Sequence, residues 1–282
     1  MQIVSNAEEL REHIADWRHA GDHIALVPTM GNLHQGHMSL IELARKHAER
    51  VVVSIFVNPT QFADGEDHDN YPRTLDKDTR RLKRADVDLI FAPDVETMYP
   101  FGIDNATSVK VPVLSEELCG SFRPGHFDGV STVVNRLFIL VQPDVAVFGQ
   151  KDYQQQLVIR RMTEDLNMPV EIITGPTVRD DDGLAKSSRN QYLTEAERKI
   201  APSLYEQISA IGDALKGGER DFESLAQAAI DTLEKAGFRP EYVSIRRADD
   251  LGEPATDTAK FVVLAAAWLG DARLIDNVEV SV

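Results

Sequence analysis

The chain reads as an α/β protein: a Rossmann-like, doubly wound parallel sheet followed by a smaller α+β domain. Three observations predict it. From residue 24 to 174, short apolar runs alternate with amphipathic stretches of helical length. Runs such as Val51-Val52-Val53-Ser54-Ile55-Phe56-Val57 are apolar without alternation, the pattern of strands covered on both faces. After about residue 176 the order changes to long helices followed by close-set strands, which places the boundary there: 1–176 for the first domain and 177–282 for the second.

The elements follow in chain order. An opening helix is marked by Ser5-Asn6 as N-caps, Glu8-Glu9 in its first turn and Gly21 beyond its end. Strands are expected at Ile24–Val27, Val51–Val57, Asp88–Phe91, Val145–Phe148 and Val170–Thr174, and helices at 36–49, 74–85, 129–141 and 152–167. In the second domain, Thr194–Lys216 reads as one long helix and Asp221–Lys235 as another, with Gly217-Gly218 between them. Strands are then expected at Tyr242–Arg246, Phe261–Ala266 and Arg273–Ile275.

Composition limits the function. The chain has 282 residues, a formal net charge of −16 and one cysteine, Cys119. That balance offers no basic surface for a nucleic-acid backbone, so a phosphate site would be a local exception suited to a small ligand. One cysteine allows neither an internal disulfide nor a cysteine metal cluster and suits a reducing cytoplasm. No apolar run reaches membrane-spanning length; the best, Val130 to Phe148, is interrupted by Asn135, Arg136, Gln142 and Asp144. The acidic run from Asp64 to Asp69 reads as a solvated loop, Trp17 and Trp268 as core anchors, and Cys119 as a small buried residue.

Chemistry gathers where the expected strands end. After Ile24–Val27 comes Pro28-Thr29-Met30-Gly31-Asn32-Leu33-His34-Gln35-Gly36-His37, a glycine-bearing loop running into a helix start. Unpaired N–H groups and the positive end of the helix dipole make such a start a phosphate site. Two imidazoles three residues apart add donors that can follow phosphate charge as it develops. After the second strand comes Asn58-Pro59-Thr60-Gln61, with an amide at each end, and after the fourth comes Gly149-Gln150-Lys151-Asp152-Tyr153-Gln154-Gln155. After the fifth, Val178 leads into Arg179-Asp180-Asp181-Asp182-Gly183-Leu184-Ala185-Lys186-Ser187-Ser188-Arg189, two hydroxyls between two cations, a clamp for a departing pyrophosphate.

His34-x-Gly36-His37 after the first strand, with Lys186-Ser187-Ser188-Arg189 after the fifth, resembles the paired signatures of the nucleotidyltransferase superfamily. The blocks Val27–His37, Ser54–Phe62, Tyr71–Thr74, Arg123–Phe127, Phe148–Gln155, Ala265–Gly270 and Arg273–Asn277 resemble one branch of it, the pantothenate synthetase (pantoate–β-alanine ligase) family. The similarity spans nearly the whole chain. It implies ATP-dependent joining of (R)-pantoate to β-alanine through a pantoyl-adenylate, with release of AMP and pyrophosphate.

The resemblance also implies roles. His34, His37 and Lys151 are the catalytic residues. ATP falls to Met30, Gly31, Asn32, Leu33, His34, Gln35, Gly36 and His37, to Gly149, Gln150, Lys151 and Asp152, to Val178, and to Lys186, Ser187, Ser188 and Arg189. Gln61 and Gln155 are the pantoate pair. Position 150 is often Glu in this family and position 186 often apolar, so Gln150 and Lys186 depart from its pattern. Mg²⁺ is implied as the counterion of ATP, with Asp78 the carboxylate considered for it, and a homodimer through the N-terminal domain. For Arg123 and His126, anchoring a loop and touching substrate fit equally well. The alternatives to a ligase are an adenylyltransferase with a phosphorylated acceptor, a tRNA-charging enzyme and a non-catalytic nucleotide-binding regulator.

Overall fold

In a computed structural model, described for residues 1–63 and 65–282, the chain separates into two compact units. One comprises Met1–Gly149 with Val158–Gly175, the other Gln150–Leu157 with Pro176–Val282.

The first unit holds a six-stranded parallel sheet flanked by helices. Its strands are β1 (Gln2–Val4), β2 (Ile24–Thr29), β3 (Arg50–Ile55), β4 (Leu89–Phe91), β5 (Val145–Gly149) and β6 (Glu171–Gly175), in the order β1-β4-β3-β2-β5-β6. The helices are α1 (Ala7–Ala20), α2 (Gln35–Ala44), α3 (Leu75–Arg84), α4 (Val95–Met98), α5 (Cys119–Phe122), α6 (His126–Val141) and the later part of α7 (Tyr153–Asp165). The expected caps of α1 form: the Asn6 side chain accepts the Glu9 N–H at 2.9 Å, and Gly21 closes the helix at φ 84°. Side chains of β2, β3 and β5 meet α2 and α3 in a core containing Val27, Leu33, Ile41, Val53, Leu82 and Val147. β1, α4 and α5 were not expected; each is three or four residues long, too short to carry a period.

The chain leaves β2 toward β3 on one side and reaches β5 on the other, so the switch point lies between β2 and β5. Their pairing covers only Ala25↔Val145 and Leu26↔Ala146. Pro28, which has no N–H to give, sits two residues beyond the last of these rungs. The strands therefore part toward their carboxyl ends, where open parallel sheets hold ligands.

The second unit packs α8 (Glu195–Ile200), α9 (Ser203–Lys216) and α10 (Phe222–Lys235) with an antiparallel sheet of β7 (Arg239–Arg247), β8 (Lys260–Leu269) and β9 (Ala272–Ser281). The single helix expected over Thr194–Lys216 is two helices. Pro202 can neither donate to the ladder nor avoid the carbonyl four residues back, so the chain breaks there and restarts. β9 runs ten residues where three were expected, because its polar positions pair with β8 along its whole length.

Candidate active site

The loop after β2 is built from below by Asp78. This carboxylate is fully buried in the first turn of α3. Its Oδ1 accepts the Leu33 N–H at 2.9 Å, and its Oδ2 accepts the Asn32 N–H at 2.8 Å and the Thr74 hydroxyl at 2.9 Å. Gly31 and Asn32 adopt positive φ, 81° and 49°, and a Cβ on Gly31 would lie 3.3 Å from Asp78 Oδ2. Leu33 is 1% exposed and drops into the core beneath the loop. With these contacts Asp78 shapes the loop, and its oxygens are committed rather than held out for a cation. Among the described residues, no group of three His, Cys, Asp or Glu side chains is placed to hold a metal ion.

The two histidines fix each other's chemistry. The Nδ1 of His34 accepts the Gly36 N–H at 3.2 Å, and the Nδ1 of His37 accepts the His34 N–H at 3.2 Å, the reciprocal capping box of α2. Because each Nδ1 accepts from the backbone, the proton of each neutral imidazole is on Nε2. The rings lie 4.1 Å apart between centroids, tilted by 41°. Two N–H donors thus stand at the positive end of a ten-residue helix.

Beside this loop, Gln61 lies in a 3₁₀ turn, Pro59–Gln61, after β3. Asn58, 1% exposed, sets its orientation. Asn58 Nδ2 donates to the Gly129 carbonyl at 3.2 Å and to Gln61 Oε1 at 3.1 Å. Asn58 Oδ1 accepts from the Tyr99 hydroxyl at 2.7 Å and the Thr60 hydroxyl at 3.0 Å. A carbonyl can only accept, so the Gly129 contact fixes the Asn58 amide and hence that of Gln61. The Gln61 Nε2 donor is left facing Met30, 3.2 Å from its Sδ. Burial raises the Tyr99 phenol above its ordinary value despite the Thr60, Arg136 and Asn58 contacts, which keeps its O–H as a donor.

The Gln61 backbone is anchored too. Its carbonyl accepts from His126 Nδ1 at 2.6 Å and from Arg123 Nη2 at 3.3 Å. Arg123 Nη1 lies 2.9 Å from His126 Nε2, and its guanidinium forks onto Glu66 at 2.5 and 2.6 Å. Arg123 and His126 therefore hold the turn that carries Gln61. Glu66 is drawn inward by this pair, unlike the solvated loop expected of the acidic run; Asp64 of that run lies outside the described residues. Gly129 lets α6 meet this turn backbone to backbone, since a Cβ there would fall 2.3 Å from the Thr60 carbonyl oxygen.

The second unit carries the remaining expected site residues beyond Gly149, the last residue of β5. Gln150–Asp152 forms a 3₁₀ turn leading into α7, and Gln155 is half-buried on the first turn of that helix. The Lys151 ammonium lies 3.9 Å from Asp152 Oδ1, beyond a hydrogen bond. Val178 begins a tight hairpin in which Lys186 N–H donates to the Val178 carbonyl at 2.9 Å, with a bridge between Arg179 and Ala185. The Lys186 ammonium is paired with Asp180, and Arg198 reaches both Asp180 and Asp182. Ser187 caps the turn Ser188–Tyr192 by accepting the Arg189 N–H at 3.2 Å. Gln150 Nε2 donates to Glu279 Oε2 at 2.7 Å, so the amide at this position is matched to a carboxylate on β9.

Asn58, Tyr99, Gly129, Asp276 and Asn277 were not expected as site residues. Asn58 was singled out only as the first amide of the proline-broken turn, without a role in the site, whereas nothing in the sequence marks Tyr99. The tryptophans are only half-buried: Trp17 lies under Arg50, 5.5 Å from its guanidinium, and Trp268 donates to Glu241 at 2.8 Å. Cys119 is buried, as expected.

Comparison with known proteins shows the relatives of this chain. The profile of the family described as Pantoate-beta-alanine ligase matches residues 2–279. A pantothenate synthetase of Stutzerimonas stutzeri is 56% identical, covering 98% of this chain and 97% of its own length, and that of Azotobacter vinelandii is 53% identical over the full length of both. The crystal structure of a pantothenate synthetase from Thermus thermophilus superposes with a TM-score of 0.93 at 46% identity, covering both chains completely. A pantoate-beta-alanine ligase from Francisella tularensis, complexed with beta-gamma ATP and beta-alanine, gives a TM-score of 0.83 at 33% identity over 99% of this chain and 97% of that one. The chain belongs to the pantoate–β-alanine ligase family.

Proposed function

We propose that this chain condenses (R)-pantoate with β-alanine at the expense of ATP, through a pantoyl-adenylate. The observation that carries the reading is the pairing, on one loop cluster, of two imidazoles presenting Nε2–H donors at a helix start with an amide locked as a donor beside Met30. The first is suited to phosphate, the second to a hydroxy acid.

In the first step a pantoate carboxylate oxygen attacks the α-phosphorus in line. The bond from that phosphorus to the bridging oxygen breaks, and pyrophosphate leaves with the electron pair. The barrier is one of positioning and charge. His34 and His37 donate hydrogen bonds to the phosphates and to the charge that builds on them, and the Met30–His37 loop lines the nucleotide. Lys151 neutralises the α-phosphate, Gly149, Gln150 and Asp152 hold the ribose side, and Val178 meets the adenine. Lys186, Ser187, Ser188 and Arg189 receive pyrophosphate; Lys186 must exchange Asp180 for it. Gln61 and Gln155 hold pantoate by neutral amides, leaving its carboxylate nucleophilic. In the second step the neutral amine of β-alanine attacks the acyl carbon, the bond to the adenylate oxygen breaks, AMP leaves and the nitrogen loses a proton.

Mg²⁺ would supply the counter-charge that tetra-anionic ATP needs. Residues 1–176 serve nucleotide and pantoate binding, and 177–282 serve as a lid that excludes water from the adenylate. The chain works as a homodimer in the cytoplasm. Pantoate labelled with ¹⁸O in its carboxylate tests the route. One label must appear in AMP and none in pyrophosphate; label lost to pyrophosphate or water instead of AMP would exclude the adenylate.

A further inference from the structure

We propose that Asp276 and Asn277 form a clamp that sets the spacing between the Lys151 turn and the Ser187–Arg189 loop, with Asn277 a positioning residue for Lys151. The proposal rests on the adenylation reading above. Both residues are buried, 5% and 3% exposed, in the middle of β9, where they pair with Ala265 and Leu264 of β8. Two consecutive buried polar residues within a strand are costly unless their partners require them.

The partners lie on the two phosphate-handling segments. Asn277 Nδ2 donates to the carbonyls of Gln150 and Lys151, both at 2.9 Å. Asp276 receives the Arg179 guanidinium through both oxygens, at 2.5 and 2.9 Å, and its Oδ1 also accepts the Asn277 N–H at 2.8 Å. Arg179 is further held flat over Tyr205, 3.6 Å from the ring centroid. It opens the hairpin that ends in Lys186-Ser187, so one dipeptide grips the base of that hairpin and the backbone of Lys151. Lys151, Ser187, Asn190 and Asp276 line one small cavity between these segments.

Two further details favour positioning over packing. Asn277 Oδ1 is buried with no hydrogen-bond partner among the described residues, so the side chain is kept for what its Nδ2 does. The Lys151 ammonium has no ion pair within hydrogen-bond distance of Asp152, so its place is set through its backbone. Glu279, two residues along the strand, reinforces that backbone by accepting from Gln150 and, at 3.0 Å, from the Tyr153 hydroxyl.

N277D tests this on the full-length enzyme. The carboxylate has the same shape but no donor, and it faces two carbonyl oxygens. Pantoate-dependent ATP–pyrophosphate exchange should lose roughly 100-fold in kcat, the effect of an ångström-scale misplacement, while the KM for pantoate stays within about twofold. As pH falls, the ratio of variant to wild-type kcat should rise, because the introduced carboxyl takes up a proton and regains one O–H donor. If N277D does not fold by circular dichroism, N277A is read by the same kcat and KM split. A folded variant exchanging within about threefold of wild type, or losing kcat and pantoate affinity in equal proportion, overturns the proposal. A wild-type chain without pantoate-dependent exchange overturns the adenylation reading instead.

Discussion

Asp78 accepts the Leu33 N–H at 2.9 Å from within the first turn of α3, joining a helix to a loop 45 residues earlier in the chain. The same carboxylate takes the Asn32 N–H, so the histidine loop rests on one buried anion.

D78A should therefore act on fold and site together. It strands two backbone donors and the Thr74 hydroxyl, at a cost of about 3 kcal/mol, read as a shift of the urea midpoint with unchanged slope. ATP affinity should fall with it. Retained stability and retained ATP affinity would mean that the loop holds its shape without Asp78.

The Asn58 amide orients Gln61. N58D removes the donor to Gln61 Oε1 and should raise the KM for pantoate by about tenfold or more, the scale of a lost buried hydrogen bond. Y99F, which removes one donor to Asn58, should raise it several-fold. Neither should change the KM for ATP; initial-rate kinetics with each substrate varied in turn separate the two effects.

G129A forces a methyl group against the Thr60 carbonyl, at 2.3 Å if nothing moves. The turn bearing Gln61 must shift, with a loss of about 1–3 kcal/mol and weaker pantoate binding. Calorimetric melting together with pantoate titration checks both; an unchanged protein would show that α6 and the turn part freely.

Asp144 gives a pH signature remote from the site. Burial pushes its carboxyl up, but the Arg18 guanidinium and the Ile24 N–H, each at 2.7 Å, carry it below its ordinary value. A carboxyl depressed in the folded state stabilises above its unfolded pKa and loses that contribution as pH falls through the folded one. D144N should cost about 1 kcal/mol at pH 7, and the difference from wild type should shrink below about pH 4. A difference independent of pH would assign the effect to packing.

The parallel sheet was legible because strands buried on both faces leave continuous apolar runs, as at Val51–Val53. The histidine loop was legible because glycines and imidazoles are specific to its geometry. The groups that support it from behind were not. Asp78, Tyr99 and Gly129 act on Asn32, Asn58 and Thr60 across 46, 41 and 69 positions of sequence, and nothing local to any of them marks that contact. The break in Thr194–Lys216 was visible as Pro202 but outweighed by a helical period running through it. That Gln150–Leu157 joins the second unit follows from contacts with Asn277 and Glu279, which periodicity does not encode.

ATP–pyrophosphate exchange in the absence of β-alanine tests the central claim most directly. Labelled pyrophosphate should enter ATP only when (R)-pantoate is present, and K151A, folded as judged by circular dichroism, should abolish the exchange. Exchange that proceeds without pantoate, or that survives K151A at a near-normal rate, would contradict the account.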